Sequence, residues 1–362
     1  WSADGQTCVF KSGRQNRSSI FRCDARNGDI TQLLDWRDGW AVDAGQKPAR
    51  VPYGVGGFCL DKDSGWLYYV YNDVASCSLE AVHIDTLEER TVAQGIDGYR
   101  LGQPTVSGDG QWVAMPNNIV PPLFAEVDPD KALPISELQR IYAAPGGSRM
   151  QLVRVPATGG ELEVVYDEPD CRGNHVQYSP VDPNILHTDR DFAPAFWAGS
   201  DQVRNRVWLW HIDEQRLVEQ PSPSGRTFQV HSTWSFDGQH VLYHCPGAGR
   251  DAPGYVVGVN VLEGNPLAAY GRAAWTHYGH VGAVPGRRAI MLDGNITDDL
   301  ILWLFYDDPD QPRIEIVCRH GTNWGGHENQ YSHPHPQAAP TGDYIVYNAA
   351  QKGHSDVFIV TL

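Results

Sequence analysis

No apolar run in this sequence approaches the roughly 20 residues that a bilayer-spanning helix needs. Also missing is any long Ala/Leu/Glu/Lys run of the kind that builds extended helices. Basic charge is scarce: 28 Lys and Arg stand against 44 Asp and Glu, a formal net charge of −16. That balance argues against nucleic-acid or anionic-membrane partners, and an anionic substrate has to be drawn in by local positive charge. Paired cysteine spacing is absent as well. The seven cysteines, at 8, 23, 59, 77, 171, 245 and 318, are odd in number, and several sit in strand-like runs such as QTCVF and IEIVC. They read as buried free thiols in a reducing compartment, which favours the cytoplasm. The chain opens at Trp1 rather than at a methionine, so a periplasmic location through an upstream signal stays open. No serine lies in a GxSxG elbow, and GVGGFC at 54–59 leads into no helix, so it is not a dinucleotide loop. Asn16-Arg-Ser and Asn295-Ile-Thr match the glycosylation sequon, a pattern too short to carry weight.

What is plentiful is turn and strand material: Gly 37, Pro 25, Trp 12 and Tyr 16. A single pattern recurs: an apolar stretch, a Ser or Pro, an Asp/Gly turn, then a strand of Val, Ile, Tyr and Trp. It reads WSADGQTCVF at 1, FCLDKDSGWLYYVY at 58, QPTVSGDGQWVAM at 103 and HVQYSPVDPNILHT at 175. It continues as HSTWSFDGQHVLYH at 231, HVGAVPGRRAIML at 280 and HPQAAPTGDYIVYN at 335, which makes seven copies. Second and third alternating runs follow most turns. Four short antiparallel strands about every 50 residues predict an all-β fold, a seven-bladed β-propeller in which residues 1–362 form one domain. A β-sandwich pair would not explain the constant register of the turn. The interval at about 116–148 is too long for a blade connection, and LPISELQRIYA within it predicts a short helical insertion. The sequence starts inside a repeat, so an upstream segment completing the first blade is expected. The Trp residues read as inter-blade packing.

Register turns single histidines into a cluster. Six or seven positions before the turn glycine, at the start of each innermost strand, stand Phe58, Gln103, His175, His231, His280 and His335. In a propeller these starts converge at the mouth of the central axis, where ligands bind. His333 and His335, two apart in NQYSHPHPQ, point the same way on an extended segment that Pro334 and Pro336 keep out of helix. With His280 from the neighbouring blade and the amide oxygen of Gln330, they suit a borderline divalent ion such as manganese; zinc, nickel and cobalt share the ligand preference. His277 replaces His280 if the register slips. His327 and Glu328 are outer partners of the metal or simple loop residues. Arg190, Asp189 and His187, in LHTDRD, line the pocket or form a strand-end ion pair.

GNHVQYSP, the NRVW run, VHSTWSFDGQ, the His280 segment ending in LDG, and CRHGTNW followed by NQYSHPHP resemble the oligogalacturonate lyases. These are seven-bladed propellers that cleave short pectin fragments by β-elimination. The resemblance implies that His280, Gln330, His333 and His335 are manganese ligands, that His231 is the general base, and that Arg206 faces the substrate carboxylate. His175, Gln103 and Arg190 become substrate-pocket residues. DGNITDDLILW and the loop CPGAGRDAPG depart from the family pattern, which leaves the uronate and its length open. The implied partner is an anionic uronate oligosaccharide, with a monomer or small homo-oligomer as the working unit. The competing readings are a non-catalytic binding propeller, a metal-dependent hydrolase, and a lyase for another uronate.

Overall fold

The recurring Ser-x-Asp-Gly-Gln stretch builds the same turn each time. Ser2, Ser107 and Ser235 donate their hydroxyls to Asp4, Asp109 and Asp237, and each carboxylate also accepts the N–H of the following Gln. Each Ser Oγ in turn accepts, at 3.0 Å, from the residue that opens the next strand. Gly5, Gly110 and Gly238 close the turns at φ +67°, +70° and +68°, the left-handed region that any side chain resists. A hydrophilic motif thus sends each chain segment straight back beside itself as a hairpin.

The computed structural model describes residues 1–14, 17–38, 54–73, 76–127, 133–192, 204–222, 225–227, 229–245, 255–260, 280–293, 299–305, 313–322, 333–351 and 354–362. The chain is an all-β propeller, with one α-helix, Ile135–Ala143, among the described residues. Among the described residues the strands form seven antiparallel sheets, each built from chain-consecutive strands. In hydrogen-bonded order their first strands are Thr7–Arg14, Gly54–Leu60, Thr105–Val106, Cys171–Tyr178, Val230–Trp234, Val281–Ala283 and Gln337–Ala338, and in the third sheet Tyr99–Leu101 also pairs with the second strand. First strands of neighbouring sheets meet: the second with the third, the third with the fourth, the fifth with the sixth and the sixth with the seventh. That arrangement puts the first strands of the second to seventh sheets innermost, whereas Thr7–Arg14 follows its turn as the second strands Trp112–Ile119 and His240–Cys245 follow theirs. The ring closes where the Trp1 indole donates to the Gln337 carbonyl and stacks on Tyr344. A Cβ at Gly5 would lie only 2.4 Å from Thr341 Oγ1 there.

The core lies between the sheets. Leu79, Val113 and Val153 join the second sheet to the third, and Met150, Cys171 and Trp210 join the third to the fourth. Trp66, Trp112, Trp208 and Trp303 carry the guanidiniums of Arg90, Arg154, Arg190 and Arg287 on their faces at 4.3–4.5 Å. The expected packing role of the tryptophans therefore has a cationic half as well. The insertion begins later than position 116, because the strand Trp112–Ile119 runs through it. It then holds a 3₁₀ turn, Pro122–Glu126, and the expected helix, which packs through Tyr142 against Phe124 and Arg172. All seven cysteines are free, five of them buried, and burial raises the Cys8 thiol to about 11. No helix among the described residues is long and apolar enough to cross a membrane.

Candidate metal centre and active site

His280, His333 and His335 each bring a ring nitrogen into one cluster, with the three ligand atoms all within 4.8 Å of one another. His280 precedes the first strand of the sixth sheet, and the other two precede that of the seventh. The expected extended HxH segment is not what aligns them. Gln337 opens the strand two residues later, and His335 sits at φ +46°, so a left-handed kink turns its ring onto His280, centroids 3.7 Å apart. A β-branched or bulky residue pays strain in that region, and such strain persists where surrounding bonds over-determine it.

Those bonds come from Asp293, at the end of the second strand of the sixth sheet and almost fully buried. Its carboxylate accepts from His280 Nδ1 at 2.9 Å, from the His280 backbone N–H at 2.6 Å and from the His335 N–H at 3.1 Å. With its Nδ1 proton given to Asp293, His280 keeps the Nε2 lone pair for a cation. This is the carboxylate–imidazole support that orients metal-binding histidines. The donor set, three imidazoles on one supporting carboxylate, fits a borderline divalent ion. Nothing in the sequence reading marked Asp293 as part of the site; the signal available was its repeat register, 13 residues after His280.

His231 adjoins the cluster, its ring centroid 4.5 Å from that of His280. It lies in a bulge of the fifth sheet's first strand at φ +54°. Burial, then the neighbouring His280 and His244, then Arg206, hold its imidazole well below the usual histidine range, so it is neutral. Its buried Nδ1 has no hydrogen-bond partner among the described residues. The backbone here is pinned by Ser232, whose hydroxyl donates to Asp189 Oδ1 at 2.8 Å.

Asp189 is the second buried carboxylate of the site. It accepts from His175 Nδ1 at 2.9 Å and pairs with Arg206 Nη1 at 3.0 Å, while His187 Nε2 stands 3.6 Å away. Burial alone would raise this carboxyl, but Arg206 and the two imidazoles outweigh it and hold it far below the usual range. Arg206 is nearly buried, and its Nε and Nη2 donate to Asp191. The guanidinium expected to face the substrate is therefore already engaged by two carboxylates. Arg190 is placed differently from its expected position. Strand alternation points it away from Asp189 and Asp191, and it is fully buried among Trp208, Phe192 and Glu168 as an inter-sheet cation. His175 is half-exposed beside Asp189. Gln103 shares with His335 the wall of a cavity of about 520 Å³. Gln330, His277, His327 and Glu328 lie outside the described residues.

No family model and no curated protein matches the sequence. Solved structures do match in fold. An oligogalacturonate lyase in complex with manganese superposes with a TM-score of 0.75 at 19% identity, over 100% of this chain and 87% of that one. An oligogalacturonate lyase from Vibrio parahaemolyticus gives 0.75 at 17% identity, over 100% and 88%. A Pyrococcus horikoshii acylaminoacyl peptidase reaches 0.56 at 9% identity, with 98% of this chain covering 49% of that one. The propeller is thus shared widely, and these lyases share it over their near-full length.

Proposed function

We propose that this chain is a divalent-metal-dependent lyase that cleaves short uronate oligomers, oligogalacturonates first among them, by β-elimination, and that each of its seven sheets is one blade of a single propeller domain. The observation that carries the reading is a neutral, half-buried imidazole, His231, standing beside three convergent imidazoles, His280, His333 and His335. The manganese-bound lyase of like fold supports the choice of metal and substrate.

In a 4-linked uronate the proton on carbon 5 is alpha to a carboxylate, and its removal builds a second negative charge on that group. A divalent cation, held by His280, His333 and His335 with Gln330, would supply the positive charge that stabilises the dianion. His231 takes the carbon-5 proton, a task for which a neutral imidazole at physiological pH is suited. The electron pair forms the carbon 4–carbon 5 double bond, and the oxygen on carbon 4 leaves with the other fragment. Asp293 fixes the tautomer of His280 and the kink of His335. Arg206, tied to Asp189 and Asp191, sets charge near His231 and helps keep it unprotonated. His175 and Gln103 line the approach.

The test is ultraviolet absorbance of the unsaturated product while the purified protein acts on oligogalacturonates with manganese, after chelation, and in a His231→Ala variant. The expected result is a rise that chelation abolishes and that His231→Ala lowers by about 10² to 10⁴. A rise on another uronate would change the substrate only. Silence on every uronate from folded protein would sink the lyase reading in favour of a binding propeller.

A further inference from the structure

We infer that His175 is the proton donor to the leaving group, delivering the Nε2 proton of its imidazolium to the oxygen that departs from carbon 4. This inference rests on the lyase reading. His175 and His231 lie on the inner strands of the fourth and fifth sheets, each in a bulge, the irregularity that re-aims a side chain. One carboxylate ties them together. Asp189 accepts from His175 Nδ1 through Oδ2 and, through Oδ1, from the hydroxyl of Ser232 beside His231. The metal-site histidines stand on the other side of His231, at the sixth and seventh sheets.

The chemistry calls for a second group. In a galacturonate ring the carbon-5 hydrogen and the carbon-4 oxygen are trans-diaxial, so a base at carbon 5 faces away from the oxygen and cannot hand it the proton directly. The other groups around Asp189 are unsuited to that task. Ser232 spends its hydroxyl on Asp189, Arg206 is engaged by two carboxylates and keeps its protons, and His187 is fully buried. His175 has a side chain 56% exposed, so it can meet a substrate and recover a proton from water after each turnover. With Nδ1 bound to a buried carboxylate, Nε2 is the nitrogen left for the ligand. Charge balance favours a proton there. Asp189 and Asp191 against Arg206 leave one net negative charge, which an imidazolium at His175 cancels. A carboxylate on one ring nitrogen stabilises such a cation, as the aspartate of a Ser-His-Asp triad does.

The step balances. His231 takes the carbon-5 proton, the carbon–hydrogen pair becomes the carbon 4–carbon 5 double bond, and the carbon 4–oxygen pair departs with the oxygen. That oxygen takes the Nε2 proton of His175 and becomes a hydroxyl, after which water returns one proton to His175 and removes one from His231.

The experiment compares wild type, His175→Ala and His175→Gln, with manganese, on digalacturonate and on galacturonate with fluorine in place of the carbon-4 oxygen, because fluoride leaves without a proton. Product absorbance and deuterium uptake at carbon 5 from heavy water are followed, with calorimetric manganese binding and melting temperature as controls. On digalacturonate both variants should lose about 10² to 10⁴ in kcat, with the controls unchanged. On the fluoride the loss should stay under about tenfold, and carbon-5 exchange should continue, because His231 still works. The glutamine variant separates proton transfer from positioning, since its amide still donates to Asp189 but has no proton to give away. Wild-type rates on digalacturonate in either variant, or equal losses on the two substrates without carbon-5 exchange, would overturn the role of His175 while leaving the lyase intact. Wild type that yields neither product nor exchange from digalacturonate would overturn both readings together.

Discussion

Across the two inner strands of the fourth sheet His175 faces Asp189, and across those of the sixth His280 faces Asp293, each with Nδ1 2.9 Å from Oδ2. The fifth sheet, between them, breaks the rule: His231 faces His244, ring centroids 6.2 Å apart. A carboxylate in this register holds a proton on Nδ1 and frees Nε2 as a donor of electrons with a fixed direction. A histidine in the same place offers no charge, and burial alone lowers His244 to about 4. One position in the repeat therefore decides whether the inner imidazole is oriented by a carboxylate or left beside a neutral ring. The two aspartates share a further duty. Each anchors the backbone beside a left-handed histidine, Asp189 through Ser232 and Asp293 through the His335 N–H.

The sharpest way to break this comparison is to remove Asp189. It joins His175, Arg206 and Ser232 from two sheets, and deleting it leaves the buried Arg206 with one carboxylate, Asp191, and the Gln229 carbonyl. Breaking a buried ion pair in this way costs about 3 kcal/mol, so Asp189→Ala should lower the urea midpoint by a corresponding amount. A loss under about 1 kcal/mol would mean that the network is not what holds the fourth and fifth sheets together. Next in size is Asp293→Asn, which keeps shape but weakens the support of His280. Manganese affinity by calorimetry should fall about tenfold to hundredfold, while the melting temperature of the metal-free protein changes little. Unchanged affinity would show that His280 is oriented by packing instead.

Much of this was legible in the sequence because it is repetitive. Ser-x-Asp-Gly-Gln fixes a turn through bonds internal to five residues, so its recurrence predicts the hairpins directly. Counting back from each turn located His175, His231, His280 and His335 on inner strands or just before them. What the sequence concealed depends on contacts between strands. Asp293, Asp189 and His244 come into view only when the same count is run forward to the second strand. Arg190 misled because a charged residue beside Asp189 reads as part of a pocket, whereas alternation sends it to the opposite face, under Trp208. The kink at His335 also escaped, since nothing in HPHP announces a left-handed histidine.

The finest test converts the fifth sheet into the likeness of its neighbours with His244→Asp. In wild type His244 is lowered from its ordinary 6.5 to about 4, and His231 is lowered too, so the unfolded chain binds protons that the folded chain refuses. Their contribution to stability is therefore intact above about pH 6.5 and is lost as pH falls towards 4, on the order of 3 kcal/mol for His244 alone. A carboxylate at 244 would face His231 as Asp189 faces His175 and would favour its protonated form. Urea unfolding of metal-free protein at pH 7.5, 5.5 and 4.5 should then show the largest acid loss in wild type and a smaller one in His244→Asn, which removes only the titration of residue 244. The loss should be smallest in His244→Asp, which differs from His244→Asn by about 1.4 kcal/mol for each unit that His231 rises. Carboxylates elsewhere titrate alike in all three proteins and cancel in the differences. Identical curves for the Asn and Asp variants would mean that residue 244 does not govern the proton on His231, and the contrast between the fifth sheet and its neighbours would carry no chemical consequence.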